Sequence, residues 1–198
     1  MKEKELIERL VGEEYEIEGG YTINEIYSNG YNQLKSLKSN GVYFVVGKIK
    51  DLKEISKNVV DGATTEIKKK NKKGETKTIV KILEVSELKS KLEELEKSSL
   101  ENGEDVIILY IGSATRNNNN GLYERIKEYI RWGCCKGQNH AGGRAIWQIP
   151  ECKELLKFYW IKLDTKEASK SMEADLIKKY EKKYLNIPFA NMKREKVR

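Results

Sequence analysis

Short apolar runs in this chain alternate with stretches in which apolar residues recur at helical spacing. The runs at 42–46 and 106–111 are rich in valine, isoleucine and aromatic residues, and they predict two buried strands. Helical spacing of apolar residues near the N-terminus and over 122–132 predicts amphipathic helices. The order of these elements indicates a fold that mixes strands and helices.

The C-terminal part of the chain continues this pattern. Apolar runs at 145–149 and 158–163 predict further strands. A long helix is predicted over 165–184, with Asp164 as its N-cap and Glu167 three residues later.

Residues 50–104 differ in composition from the segments around them. Two β-prone stretches at 64–67 and 76–83 flank the sequence KKKNKKG, which predicts a β-hairpin with a lysine-rich tip. A helix with leucines on one face follows, and Ser86 is its predicted N-cap. The lysine-rich tip fits either contact with a DNA backbone or a solvated charged loop.

Composition narrows the classes of protein that fit this pattern. Lysine and arginine number 38 against 31 acidic residues, a net charge of +7 in 198 residues. Such a charge suits a polyanionic partner, because cationic side chains displace condensed counterions. It also suits a lysine-rich soluble protein without any such partner.

The cysteines and the N-terminus indicate a cytoplasmic protein. Cys134, Cys135 and Cys152 make neither a disulfide framework nor a zinc motif, so a reducing compartment is expected. The charged N-terminal sequence lacks the apolar core of a signal peptide. No run of about 18 apolar residues occurs, so no contact with a membrane is expected.

Two charged residues lie beside apolar helical stripes. Glu173 shares a helical spacing with Leu176 and Tyr180, where a carboxylate costs desolvation unless it is paired or binds a cation. Arg125 lies on the same helix face as Tyr129 and could clamp a phosphate. The alternatives are a glutamate that turns out to water and an arginine whose guanidinium reaches solvent.

Five short motifs occur in a fixed order along the chain. They read GVY at 41–43, YIG at 110–112, LYER at 122–125 followed by Tyr129, EADLI at 173–177 and PFAN at 188–191. In this order they resemble the motifs of the GIY-YIG nuclease family: two strand motifs, an arginine helix, a glutamate helix and a closing asparagine motif. The chain departs from the family in reading GVY, and in separating Tyr43 from Tyr110 by 67 residues where a short hairpin is usual.

The resemblance implies an α+β fold with a small, mainly antiparallel central sheet of about three strands, flanked by helices. Residues 1–40 would form an N-terminal helical layer, and 41–192 would form the nuclease domain. That domain would be interrupted by an inserted basic hairpin and helix at 50–104. Residues 193–198 would form a basic tail.

The resemblance also implies a chemistry. Glu173 would bind one Mg²⁺, for which Mn²⁺ can substitute, and Tyr43 would serve as the general base. A free phenol has a pKa of about 10, so Arg125 or the metal would have to lower the pKa of Tyr43. Tyr110 would position the water or the phosphate, and Arg125 would stabilise the transition state.

Two further site residues carry supporting roles by the same resemblance. Tyr129 stands where the family often has histidine or tyrosine and would assist the base. Asn191 would order the site, because an amide does not titrate.

Three residues in the segment HAGGRAIW are expected to contact DNA, because this segment resembles one in restriction-enzyme-like members of the family. They are His140, Arg144 and Trp147. Arginine can meet phosphate or guanine, whereas a lone histidine is often structural. The lysines of the predicted hairpin that are expected to contact double-stranded DNA are Lys69, Lys70, Lys72 and Lys73.

These features predict a metal-dependent DNA endonuclease of the type II restriction kind. A palindromic recognition site would require a homodimer or sequential nicking. The alternatives are a structure-specific repair nuclease and a catalytically silent DNA-binding protein on the same scaffold. An RNA-binding or structural protein would explain the charge but neither Glu173 nor Arg125.

Overall fold

A four-stranded antiparallel sheet with helices on both faces forms the core of the protein in a computed structural model. The structure describes residues 2–52, 67–70, 76–79, 85–115, 121–134 and 144–191, with backbone alone at 67–70, 76–79, 85 and 144. Within this part of the chain, no helix has the length and the apolar character needed to cross a membrane.

The strands of the main sheet are β1 (Glu18–Thr22), β2 (Asn40–Lys48), β5 (Val106–Ala114) and β6 (Lys157–Leu163). Their order across the sheet is β1-β6-β2-β5, and every neighbouring pair is antiparallel. The predicted α+β class with an antiparallel sheet is confirmed, but the expected number of about three strands is wrong. The additional strand is β1, whose sequence EGGYT has no apolar alternation.

A second, two-stranded sheet lies between β2 and β5 in sequence. Strand β3 (Ile67–Lys70) pairs antiparallel with β4 (Thr76–Ile79), which confirms the predicted hairpin. Lys69 and Lys70 therefore lie on β3 itself, whereas the sequence had placed them in the tip. The division of the chain into domains stays a prediction, and the tail at 193–198 lies outside the described residues.

Helices cover both faces of the main sheet, and residues 49–52 are also helical. The α-helices include α1 (Lys2–Val11), α2 (Ile23–Ser28), α3 (Val85–Glu101), α4 (Gly121–Gly133), α5 (Cys152–Leu155) and α6 (Lys166–Tyr184). The N-cap of α6 is Thr165, whose side chain accepts a hydrogen bond from the Ala168 amide, so the predicted Asp164 cap is wrong. Ser86 likewise lies within α3 and not at its N-cap position.

One predicted strand is a helix. The segment at 145–149 falls largely in a 3₁₀ helix over Arg144–Gln148. An apolar run this short fits a buried helical turn as well as a strand, because periodicity cannot distinguish them.

The two faces of the sheet carry separate apolar cores. Tyr43 and Val45 of β2 belong to the core that α2, α3 and α4 cover. Their neighbours Val42 and Phe44 belong to the core that α1 and α6 cover. This alternation follows from the period of two in a strand, which sends successive side chains to opposite faces.

A β-bulge in β5 breaks this alternation beside Tyr110. Val45 pairs with Tyr110, whereas the next residue, Val46, pairs with Ile108, so Leu109 is the extra residue. Leu109 and Tyr110 consequently both face the core that contains Tyr43. Regular alternation would have turned the Tyr110 ring to the opposite face.

A buried carboxylate fixes α1 and α6 to the start of β5. The Glu104 side chain accepts hydrogen bonds from Arg9 at 2.6 Å, from Lys183 at 2.8 Å and from the Tyr184 hydroxyl at 3.3 Å. Burial raises the pKa of Glu104, but the hydrogen bonds from Lys183 and Arg9 outweigh burial and hold it below the ordinary value. This cluster helps to fix the position of α6, the helix that carries Glu173.

Candidate active site

The two tyrosines of the strand motifs lie side by side. Tyr43 is opposite Gly112 in the β2–β5 pairing, and its ring centroid lies 5.7 Å from that of Tyr110. Direct pairing of β2 with β5 brings the phenols together despite their separation in sequence. The proximity that the motifs implied is therefore present.

Glycines in both strand motifs leave room for this arrangement. A Cβ atom on Gly112 would lie 2.7 Å from Cζ of Tyr43 and 2.8 Å from its Oη, so the Tyr43 phenol lies directly over the Gly112 backbone. A Cβ atom on Gly41 would lie 2.1 Å from the Ile161 carbonyl oxygen. Both positions require glycine for space.

Gly112→Ala is expected to destabilise the protein by about 2 kcal/mol, because an added methyl forces a packed core to shift. The free energy of unfolding can be measured by urea denaturation. The added methyl would also lie 2.7 Å from Cε1 of Tyr110, so the control is the same substitution in a Tyr43→Leu background, where one of the two rings is gone. An equal cost in both backgrounds would contradict the contact between Gly112 and the Tyr43 ring.

Tyr129 joins the two strand tyrosines in one buried aromatic cluster. Its ring is stacked on Tyr110 at 5.8 Å and lies edge-on to Tyr43 at 6.3 Å. Phe158 and Trp147 each lie 5.5 Å from Tyr129 on other sides of it. The helix motif and the two strand motifs thus contribute to one site.

Trp147 is a core residue of this cluster. Only 4% of its surface is exposed, and a Cβ atom on Gly133 would lie 2.0 Å from its indole ring. A side chain enclosed between α4 and the tyrosine cluster does not present a surface to DNA. The expectation that Trp147 contacts DNA is therefore not supported, and its role here is to hold Tyr129 in place.

Burial has the largest effect on the pKa values of the three tyrosines. It raises the pKa of Tyr43 well above its usual value and that of Tyr110 to about 12. The negative charge of Glu173 raises both pKa values further, whereas the positive charge of Arg125 lowers them. The lowering by Arg125 that the sequence led us to expect is present, but burial outweighs it in the protein alone.

The Tyr43 hydroxyl has an unusual environment. Its Oη is buried and has no partner that meets ordinary hydrogen-bond geometry among the described residues. The Tyr110 hydroxyl nevertheless interacts with it, because hydrogen bonding between the two phenols raises the pKa of Tyr43 and lowers that of Tyr110. A buried hydroxyl whose hydrogen bond has poor geometry costs free energy of folding, which is the kind of cost that functional sites retain.

Glu173 and Arg125 are both half-buried, and both act electrostatically on Tyr43 and Tyr110. Oε2 of Glu173 accepts a short hydrogen bond from the Ser113 hydroxyl. This contact answers the question left open at Glu173, whose carboxylate is held at the sheet and does not simply extend into water. Ser113 was missed in the sequence, because β5 was expected to end at Gly112 and instead continues to Ala114.

Asn191 binds the free edge of β5. Its Oδ1 accepts a hydrogen bond from the Ile111 amide at 2.9 Å, and its Nδ2 donates to the Ile111 carbonyl at 2.7 Å. The Ala190 amide donates to the Leu109 carbonyl at 2.8 Å. These bonds give hydrogen-bond partners to backbone groups of the edge strand β5 on both sides of Tyr110. This agrees with an ordering role for Asn191.

The donor set for a metal ion at this site is small. Within the described ranges, no group of three histidine, cysteine or acidic residues could hold a metal. A single half-buried carboxylate, Glu173, acts electrostatically on the two phenols. That set fits Mg²⁺, which prefers oxygen ligands, retains several waters and is often held by one or two carboxylates together with substrate phosphate.

Several residues expected to bind DNA have side chains outside the described part of the chain. His140, Lys72 and Lys73 lie there entirely. Arg144 is described by its backbone in the 3₁₀ helix, and Lys69 and Lys70 by their backbone in β3. Their contact with DNA stays a prediction.

No protein-family model, curated protein or solved structure matches the chain. A functional assignment therefore depends on the order of the five motifs and on the geometry of the residues they contribute.

Proposed function

We propose that this protein is a metal-dependent DNA endonuclease of the GIY-YIG type. The observation that carries the proposal is the convergence of four motif residues at the β2–β5 pairing. The rings of Tyr43 and Tyr110 lie 5.7 Å apart, and the charges of Arg125 and Glu173 both act on these two phenols. A base, a cationic clamp and a carboxylate are the groups that phosphodiester hydrolysis requires.

Glu173 is the residue that would hold the divalent ion, which we take to be Mg²⁺. Its carboxylate is a hard oxygen ligand, half-buried at the edge strand β5. A bound Mg²⁺ would neutralise charge on the scissile phosphate and on the leaving oxygen. Mn²⁺ has the same preference for oxygen ligands and is expected to replace it.

Tyr43 is the proposed general base. Its side chain is fully buried in the protein alone, so this role requires that substrate binding brings a water to its oxygen. Its raised pKa is the obstacle to this role, because the phenolate is scarce near neutral pH. The positive charge of Arg125 already lowers the pKa of Tyr43. A cation bound near Glu173 would neutralise the negative charge of Glu173, which raises that pKa.

Arg125 is the proposed phosphate ligand. It lies on α4, half-exposed, and its charge reaches both phenols. A guanidinium can bind two phosphate oxygens at once and stabilise the charge of the transition state. Tyr110 would position the water or the phosphate, and Tyr129 would support Tyr43 by packing.

Double-stranded DNA is the proposed substrate, and a sequence-specific cut of the type II restriction kind is the proposed outcome. The net charge of +7 and the basic hairpin support a polyanionic partner. A catalytically silent DNA-binding protein is the main competing function. The pairing of Tyr43 with Tyr110, and the charges of Arg125 and Glu173 that act on both phenols, argue against it, because binding alone does not need the whole set.

The direct test is incubation of the purified protein with supercoiled plasmid in the presence of Mg²⁺, of Mn²⁺ or of a chelator, followed by sequencing of the ends. We expect cleavage with either cation, none with the chelator, and fixed ends. Random ends would contradict the restriction assignment alone. Absence of cleavage on plasmid, genomic and branched DNA would contradict the nuclease assignment itself.

A further inference from the structure

Ser113 connects the edge strand β5 to the helix that carries Glu173. β5 continues beyond Gly112, and its alternation turns Ser113 away from the tyrosines and towards α6. The Ser113 hydroxyl donates a hydrogen bond to Oε2 of Glu173 in a half-buried setting. The residue that follows the YIG motif therefore contacts the proposed metal ligand directly.

This contact restricts a flexible side chain without neutralising it. A glutamate side chain has several rotatable bonds, and a hydrogen bond to one carboxylate oxygen reduces the orientations that it samples. A hydroxyl is an uncharged donor, so the carboxylate keeps its negative charge for a cation. A lysine or arginine in the same place would compete with the metal ion.

The contact uses only a small part of the carboxylate's capacity as an acceptor. An ionised carboxylate offers about four acceptor positions on its two oxygens, and the Ser113 hydroxyl takes one of them. Hydrogen-bonding partners of metal ligands orient those ligands, and their loss usually weakens metal binding or activity by about 10- to 100-fold.

We propose that Ser113 is a positioning residue that holds the Glu173 carboxylate in its metal-binding orientation. The inference rests on the proposed function, because it concerns the metal ligand of that site. The role given to Ser113 is not catalytic. It acts through Glu173, and it links metal affinity to the strand that carries Tyr110.

The test measures Mn²⁺ binding to the full-length protein by water-proton relaxation, together with the Mg²⁺ concentration that gives half-maximal plasmid cleavage. Ser113→Ala is expected to weaken Mn²⁺ binding about tenfold, and to raise the half-maximal Mg²⁺ concentration by a similar factor. Turnover at saturating Mg²⁺ should return to near the wild-type value. Ser113→Thr, which keeps the hydroxyl, should bind Mn²⁺ within about threefold of wild type.

Ser169→Ala is the matched control. Ser169 is a buried serine of α6 whose hydroxyl donates to the Thr165 carbonyl at 2.9 Å, so the variant loses a hydroxyl from the same helix outside the site. It should leave both metal measurements unchanged. Thermal melting of all three variants shows whether any loss of binding comes from unfolding.

The outcomes separate this inference from the proposed function. Folded Ser113→Ala with wild-type Mn²⁺ affinity and wild-type Mg²⁺ dependence would overturn the role of Ser113 and leave the nuclease assignment intact. Weaker Mn²⁺ binding in Ser113→Ala, in a protein that cuts no DNA, would support the role of Ser113 and contradict the nuclease assignment. Equal loss in Ser113→Ala and Ser113→Thr would also overturn the inference, because the hydroxyl would then not be what matters.

Discussion

Glu173→Gln is expected to abolish Mg²⁺-dependent cleavage while leaving the fold and DNA binding intact. The substitution keeps the shape of the side chain and removes the charge that would hold the cation. A bound metal contributes several kcal/mol of transition-state stabilisation, and each 1.4 kcal/mol corresponds to a factor of ten in rate. The single-turnover rate constant for plasmid nicking should therefore fall about 1000-fold.

Glu167→Gln provides the control for this variant. Glu167 lies in the first turn of the same helix, is exposed, and undergoes the same change of charge. It should cut at the wild-type rate. DNA binding by both variants can be measured by fluorescence anisotropy with a chelator present. Cleavage by Glu173→Gln within tenfold of wild type would exclude Glu173 as the metal ligand.

The two strands that carry the site could be predicted because their residues strongly favour strand over helix. The runs at 42–46 and 106–111 consist almost entirely of β-prone apolar residues, and both lie within observed strands. β1 could not be predicted, because its two glycines and single tyrosine give neither apolar alternation nor high β-propensity. It exists because β6 offers a free edge with which its backbone can pair.

The face of the sheet on which the Tyr110 side chain lies could not be predicted from the sequence either. A continuous apolar run such as 106–111 does not show which side chains share a face, because every position is buried. The bulge at Leu109 decides that orientation and turns Tyr110 towards Tyr43. Without it, two tyrosines on paired strands would lie on opposite faces of the sheet, and the motifs would not form a site.

The contacts that stabilise the site join residues that are distant in sequence. Asn191 binds the backbone of Ile111, and Ser113 binds Glu173, so each contact depends on how α6 and the following segment pack against β5. Helical spacing correctly identified Glu173 as an unusual carboxylate on an apolar stripe. The hydrogen bond from Ser113 follows from tertiary packing, for which spacing within one helix contains no information.

Trp147 is a residue that the sequence predicted at a DNA-contacting surface and that the structure places in the core. Its neighbours suggested a loop that approaches DNA, because glycines and an arginine precede it. A tryptophan buries a large apolar area when it packs, and here the absence of a side chain on Gly133 leaves room for the indole ring. The gain from burying that ring against Tyr129 outweighs any tendency of the segment to lie on the surface.

Replacement of Tyr43 by phenylalanine distinguishes an enzyme from a silent scaffold. A buried hydroxyl without a hydrogen bond of good geometry destabilises the fold relative to phenylalanine, and because Tyr180 has the same cost outside the site, the cost alone does not identify a catalytic residue. Phenylalanine would fill the same space over Gly112 and next to Tyr110. A protein that only bound DNA would lose nothing by that exchange, whereas an endonuclease with Tyr43 as its base would lose its activity.

Tyr43→Phe is therefore expected to separate stability from activity. The free energy of unfolding should stay equal or rise by about 1 kcal/mol, because the substitution removes an unsatisfied buried group. The cleavage rate should fall at least about 100-fold, which is the usual contribution of a general base. Urea denaturation and single-turnover cleavage at saturating Mg²⁺ measure the two effects on the same preparation.

Tyr180→Phe tests whether loss of activity is specific to Tyr43. The Tyr180 hydroxyl is also buried without a partner in the described structure, but it lies on α6 in the opposite core. Its removal should have a similar effect on stability and none on cleavage. If Tyr43→Phe instead cuts as fast as Tyr180→Phe, the phenol is not the base, and the unpartnered hydroxyl at position 43 has no catalytic role.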